Sequence, residues 1–105
     1  MSRLKVLGTV RPRSLVIAAA LINTALDLGL TKDMVITVGA NGTHMTGSKH
    51  GTGEALDIRT KQLTRSERVG LVDALRRRLG PDYDVVLEDV GGPNEHLHCE
   101  RDVKV

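Results

Sequence analysis

The chain has one tyrosine, Tyr83, and neither phenylalanine nor tryptophan in 105 residues. That near-absence of aromatic rings narrows the folds open to it. A core must then be assembled from Leu, Val, Ile, Ala and Met. Such side chains bury less area apiece than aromatic ones, and small domains are marginal to begin with. The length fits a single core, so residues 1–105 are expected to form one domain. A bound metal contributing to stability would suit a core of this kind.

The elements follow from periodicity. Residues 3–10 read as a short irregular or extended lead-in. Ser14 is a suitable N-cap for a helix in which Val16, Ile17, Leu21, Ala25 and Leu28 recur at helical spacing, closed by Gly29. Met34 to Val38 is β-branched and predicts a strand. Residues 39–53, rich in Gly, Thr, Ser and Asn, predict a long loop, and long loops in small domains tend to be functional. Ala55 to Ile58 predicts a second strand. Thr64-Arg65-Ser66-Glu67 has capping-box spacing before a helix that places Val69, Val72, Leu75 and Leu79 on one face. Gly80-Pro81 stops it. Tyr83 to Glu88 predicts a third strand, and Glu95 to Glu100 a fourth, paired back across Gly91-Gly92-Pro93 as a hairpin. The predicted class is α+β, a small mostly antiparallel sheet with helices packed on one face.

Charge excludes little. The net charge is +2, and the only basic run, Arg76-Arg77-Arg78, lies where cations suit a helix C-terminus. No aromatic residues interleave with it, so a nucleic-acid partner is not expected. No membrane partner is expected either, because the apolar stretch 14–30 is interrupted by Asn23, Thr24 and Asp27. The start of the chain lacks the pattern of a signal peptide, and cytoplasmic synthesis of a monomer is the expectation.

Two segments carry chemistry. The first runs Ser48-Lys49-His50-Gly51-Thr52-Gly53-Glu54-Ala55-Leu56-Asp57-Ile58-Arg59; the second is Glu95-His96-Leu97-His98-Cys99-Glu100. Residues i and i+2 of a strand share a face. His96, His98 and Glu100 therefore point one way, and Leu97 and Cys99 point into the core. Asp57 stands among small and apolar residues, where an ionised carboxylate needs a cation. Zinc or Arg59 could supply it. His50, Asp57 and His98 match the three protein ligands of a catalytic zinc, with a fourth position left for water. Gly51 and Gly53 allow the loop to turn sharply between His50 and Asp57, and Ser48 could hydrogen-bond within it. A general base beside the metal would complete a hydrolytic site. Alternation puts Glu88 on the histidine face across the hairpin, and puts Glu95 on the face of Leu97 as a solvated hairpin residue.

The pattern Ser48-x-His50-x-x-Gly53-x-Ala55-x-Asp57, followed by His96-x-His98, resembles the zinc D-alanyl-D-alanine peptidases. That family includes carboxypeptidases, dipeptidases and phage endolysins acting on bacterial cell-wall stem peptides, and its fold is shared with the hedgehog signalling domain. The resemblance covers residues 34–102. It implies one zinc held by His50, Asp57 and His98, with His96 beside the metal to stabilise the oxyanion; a neighbouring zinc disfavours the imidazolium, so His96 is expected to be a neutral donor. It likens His44 to a further histidine of hedgehog-type sites. A strand-end glutamate like Glu88 neighbours the metal in the hedgehog arrangement. Other members place the acid three positions before the last histidine, which makes Glu95 the alternative base. Many members carry an arginine before the Ser-x-His segment to hold a substrate carboxylate. Residues 36–47 contain none. Arg59, Lys49 or Arg13 are the available substitutes, and the departure favours endopeptidase action. The implied function is a peptidoglycan peptidase of D-Ala-D-Ala or L-Ala-D-Glu type, a phage or prophage lysin acting on the wall after release. The competing expectation is a non-catalytic zinc module that binds a partner or forms part of a virion.

Overall fold

A computed structural model describes residues 1–8, 10–38 and 55–103. The described elements are β1 (Leu4–Val6), a 3-10 turn (Pro12–Ser14), α1 (Leu15–Asp27), β2 (Met34–Val38), β3 (Ala55–Arg59), α2 (Arg65–Leu79), β4 (Tyr83–Glu88) and β5 (His96–Arg101). The strands form one mixed sheet in the order β1-β2-β3-β5-β4. β1 pairs with β2 in parallel, and every other pairing is antiparallel. The fold is α+β, as expected.

The lead-in is more ordered than its sequence suggests. Leu4, Lys5 and Val6 align with Met34, Val35 and Ile36, and Leu7 N–H donates to the Ile36 carbonyl at 2.8 Å. Ser14 is not a side-chain cap. The preceding 3-10 turn, opened by Pro12, places it in helical conformation, and no cap hydrogen bond forms from its side chain. The capping box at α2 does form: Glu67 N–H donates to Thr64 Oγ1 at 3.1 Å, and Thr64 N–H donates to Glu67 Oε1 at 2.8 Å. Lys32 Nζ, 3.0 Å from the same carboxylate, ties this helix start to the approach to β2. Gly29 closes α1 with φ +71°, a left-handed conformation that side chains disfavour.

The core lies on one face of the sheet and is built from aliphatic and sulfur-containing side chains, with the partly buried Tyr83 packed against it. Met34, Ile36, Leu56, Ile58, Leu97 and Cys99 project from the strands to meet Ile17, Leu21 and Ala25 of α1 and Leu71, Val72 and Leu75 of α2. The α2 stripe is rotated from the predicted one. Val69 is exposed, and Leu71 is buried instead. The helix must face α1 as well as the sheet, so its buried arc shifts. Val16 and Leu28, at the edges of the predicted α1 stripe, are likewise exposed. Arg78 pairs with Asp27 where the two helices meet. Among the described residues no helix is long and apolar enough to cross a membrane.

Helices on one face leave the opposite face of β3, β5 and β4 for polar groups. The antiparallel register sets them out in rows. Asp57, His98 and Val86 lie side by side across the three strands, and Arg59, His96 and Glu88 form the next row.

Candidate metal centre

Leu97 and Cys99 are fully buried, so alternation forces His96, His98 and Glu100 onto the outer face. The same rule sends Leu56 and Ile58 inward and Asp57 outward. β4 follows suit, with Val85 buried and Glu88 exposed. Each polar group thus owes its placement to the apolar residues beside it in sequence.

His98 Nδ1 lies 2.8 Å from Asp57 Oδ1, and its Nε2 lies 3.2 Å from Glu100 Oε1. Both ring nitrogens face carboxylates. The hydrogen bond to Asp57 raises the His98 pKa above its usual value, against the opposing effect of burial, with further help from Glu100 and Glu88. A metal-bound histidine commonly donates its other ring N–H to a carboxylate, and Glu100 stands where it could accept from Nε2. Asp57, Glu88 and His98 each offer a donor atom within 4.8 Å of the others. These three residues form a group that could hold a metal ion. Two carboxylates and an imidazole are donors that zinc accepts.

His96 stands in the adjoining row. Its Nδ1–H donates to the Asn94 carbonyl at 2.7 Å, and its Nε2 lies 2.8 Å from Glu88 Oε1. A carbonyl only accepts, so the ring carries a proton on Nδ1. Nε2 can then donate only from the imidazolium. Burial pulls the His96 pKa down, but the Asn94 carbonyl, Asp57 and Glu88 outweigh it, and the net direction is up. The expectation of a neutral donor rested on a neighbouring zinc; in the tautomer set by Asn94, Nε2 donates only when the ring is charged.

Glu95 is not a solvated hairpin residue. Its side chain is nearly buried and sits 2.7 Å from Arg68 Nη1, accepts from Thr60 Oγ1 at 3.2 Å and accepts from Gly91 N–H at 2.8 Å. The Gly91 amide lowers its pKa most, with Arg68, Thr60 and Arg65 adding to the effect against burial. A carboxylate engaged by three partners is a poor proton acceptor, whereas Glu88 touches His96 and belongs to the donor group itself. Glu95 instead fastens the turn that carries Asn94, and so sets the His96 ring. Sequence reasoning missed this role, because Thr60 and Arg68 are remote from Glu95 along the chain. The i+2 spacing placed Glu100 on this face, but its contact with His98 Nε2 was not foreseen.

Asp57 meets His98 directly. Arg59 lies one row away, opposite His96, and lines a cavity of about 580 Å³ with Asp57 and His96. His44, likened to a further histidine of hedgehog-type sites, Ser48, expected to hydrogen-bond within its loop, and His50, expected as a metal ligand, lie outside the described residues. Cys99 is a free buried thiol. Burial, with a smaller effect from Asp57, pushes its pKa up to about 12, which suits a core residue and not a ligand thiolate.

Comparison of the chain with family models, with curated proteins and with solved structures finds no match.

Proposed function

We propose that the protein is a zinc-dependent peptidase that hydrolyses peptide bonds in the stem peptides of bacterial peptidoglycan. The observation supporting this reading most is the convergence of Asp57, Glu88 and His98 on the outer face of the sheet. Three strands separate in sequence bring these donors together, beside a histidine whose ring is locked by a carbonyl. The substrate class rests on the resemblance of the Ser48–Asp57 and His96–His98 segments to the peptidase family.

In this reading Asp57 and His98 hold the zinc with His50. Zinc, when bound, supplies Lewis-acid polarisation of the scissile carbonyl. Glu88 accepts a proton from the attacking water and returns it to the leaving amine. His96, donating from Nε2, stabilises the developing oxyanion. Glu100 would accept from His98 Nε2–H, which would put the Nδ1 lone pair on the side of Asp57.

A second reading draws on Glu88 being one of the clustered donors. If Glu88 ligates, a site closed by protein groups would be structural, and the protein a zinc-binding module. One experiment separates the two. Purified zinc-loaded protein is incubated with cell wall, and new amino groups are counted against Glu88→Gln with its zinc content measured. The peptidase reading expects release by the unsubstituted protein. It expects Glu88→Gln to keep its zinc and lose activity about a hundredfold or more. No release of amino groups, or loss of zinc from Glu88→Gln, supports the module.

A further inference from the structure

We propose that Thr24, Arg77 and Arg78 form a phosphate-binding notch where α1 and α2 end together, and that it takes a phosphodiester group of a polyol-phosphate chain. The phosphate chemistry rests on the geometry; the choice of a cell-wall polymer rests on the peptidase reading. A cavity of about 340 Å³ opens between the two helices, lined by Thr24, Asp27, Leu28, Ala74, Arg77 and Arg78. The helices cover the inner face of the sheet, so a ligand in this notch leaves the metal group on the outer face open.

Thr24 is 2 % exposed, and its Oγ1 has no hydrogen-bond partner among the described residues. A buried hydroxyl without a partner is costly and uncommon, and a phosphate oxygen held against this wall supplies the missing acceptor. Arg77 is exposed and makes no ion pair or hydrogen bond among the described residues. Arg78 pairs with Asp27 through Nη2 alone, which leaves most of its five N–H donors for a second acceptor. Both members of that pair are exposed, so the pair holds Arg78 only weakly. A helix C-terminus carries about half a negative charge. The three guanidinium groups of Arg76, Arg77 and Arg78 are more than two such ends require. Asp73, one turn before Arg77, pairs with none of them among the described residues. Guanidinium groups bind phosphate through paired, charge-assisted hydrogen bonds.

Arg77 also borders a second cavity of about 550 Å³, together with Arg76, Tyr83 and Asp84. Arg76 Nε donates to the Val85 carbonyl at 3.0 Å, which leaves its Nη groups for a ligand. One arginine shared by two cavities suits an anion that repeats along a chain. A nucleic acid has the same repeating diester. Its bases need aromatic platforms, and Tyr83, the one aromatic residue of the chain, is partly buried against the core. A polyol-phosphate chain has no bases to stack.

The test is calorimetry of the full chain with three probes: inorganic phosphate, an oligo(glycerol phosphate), and an oligothymidylate with the same number of phosphates. The glycerol-phosphate oligomer is expected to bind about tenfold or more tightly than inorganic phosphate, as linked contacts do, and more tightly than the oligothymidylate. Arg77→Gln should weaken it about tenfold, the size of a charge-assisted hydrogen bond, and Arg77→Lys should recover part of the loss. Asp27→Asn, which releases Arg78, should tighten binding. Thr24→Val should weaken binding without lowering the melting temperature, because the hydroxyl it removes has no partner. Arg11→Gln, an exposed cation near the start of α1, should change nothing. No binding of the oligomer, binding no tighter than inorganic phosphate, equal or tighter binding of the oligothymidylate, or equal weakening by Arg11→Gln and Arg77→Gln overturns the notch. Oligomer binding by a protein that releases no amino groups from cell wall upholds the notch and removes the peptidase reading. Release of amino groups by a protein that does not bind the oligomer does the reverse.

Discussion

His96 and His98 differ by two positions and face the same way, yet their surroundings assign them different work. His98 lies between Asp57 and Glu100; His96 lies between the Asn94 carbonyl and Glu88. In the proposed reading the first arrangement would orient a ligand and the second a donor. His98→Ala should abolish tight zinc binding. His96→Ala should retain zinc and lose rate in kcat with KM nearly unchanged, the behaviour of an interaction made only in the transition state. Elemental analysis and steady-state kinetics on the two variants check this; a zinc-free His96→Ala protein would make that residue a ligand. Glu100→Leu should weaken zinc binding about ten- to a hundredfold, as removal of an orienting carboxylate does elsewhere, and Glu100→Gln should recover part of the loss.

The turn between β4 and β5 shows how much an element contributes beyond its residues. Glu95 ties it to Arg68 of α2 and to Thr60 after β3, while Gly91 takes a left-handed conformation within it. Glu95→Gln should lower the melting temperature, whereas the exposed Glu88→Gln should leave it nearly unchanged; calorimetric scans of the two variants distinguish them. Glu95 and Glu67 both have lowered pKa values, Glu95 chiefly through the Gly91 amide and Glu67 chiefly through the Thr64 amide. A carboxylate whose folded pKa is depressed adds stability above its unfolded value of 4.5, and that stability is lost as pH falls through the folded pKa. Acid unfolding should therefore begin below about pH 4.5 and should move to higher pH when Thr64→Ala removes the hydroxyl half of the capping box. An unchanged acid transition in Thr64→Ala would discount the contribution of that cap.

At the scale of the whole molecule, the aliphatic inventory and the strand periodicity made much of the fold legible. The capping box, the hairpin and the outward His96, His98 and Glu88 all follow from local pattern. What was not legible depends on distant partners. The three residues of β1 carry too little pattern to announce a strand and become one by pairing with β2. Leu71 enters the core in place of Val69 because α2 meets α1 as well as the sheet. Glu95 acquires its role from Arg68 and Thr60, and Pro12 displaces the cap expected at Ser14. A core without aromatic rings depends on each aliphatic contact. Leu56→Ala, at a fully buried position, should cost about 2–5 kcal/mol, read by denaturant melts. Cys99, with its pKa near 12, should resist thiol reagents in native protein and react on unfolding. Labelling under native conditions at the rate of a free thiol would contradict the packing described.

The metal group is the point on which residue, element and fold converge, and zinc titration tests it most directly. Equilibrium dialysis of the unsubstituted protein should give about one zinc per chain, as expected of a three-ligand site completed by water. Asp57→Ala and His98→Ala should each lose it. Stoichiometric zinc bound with undiminished affinity in both variants would contradict the account.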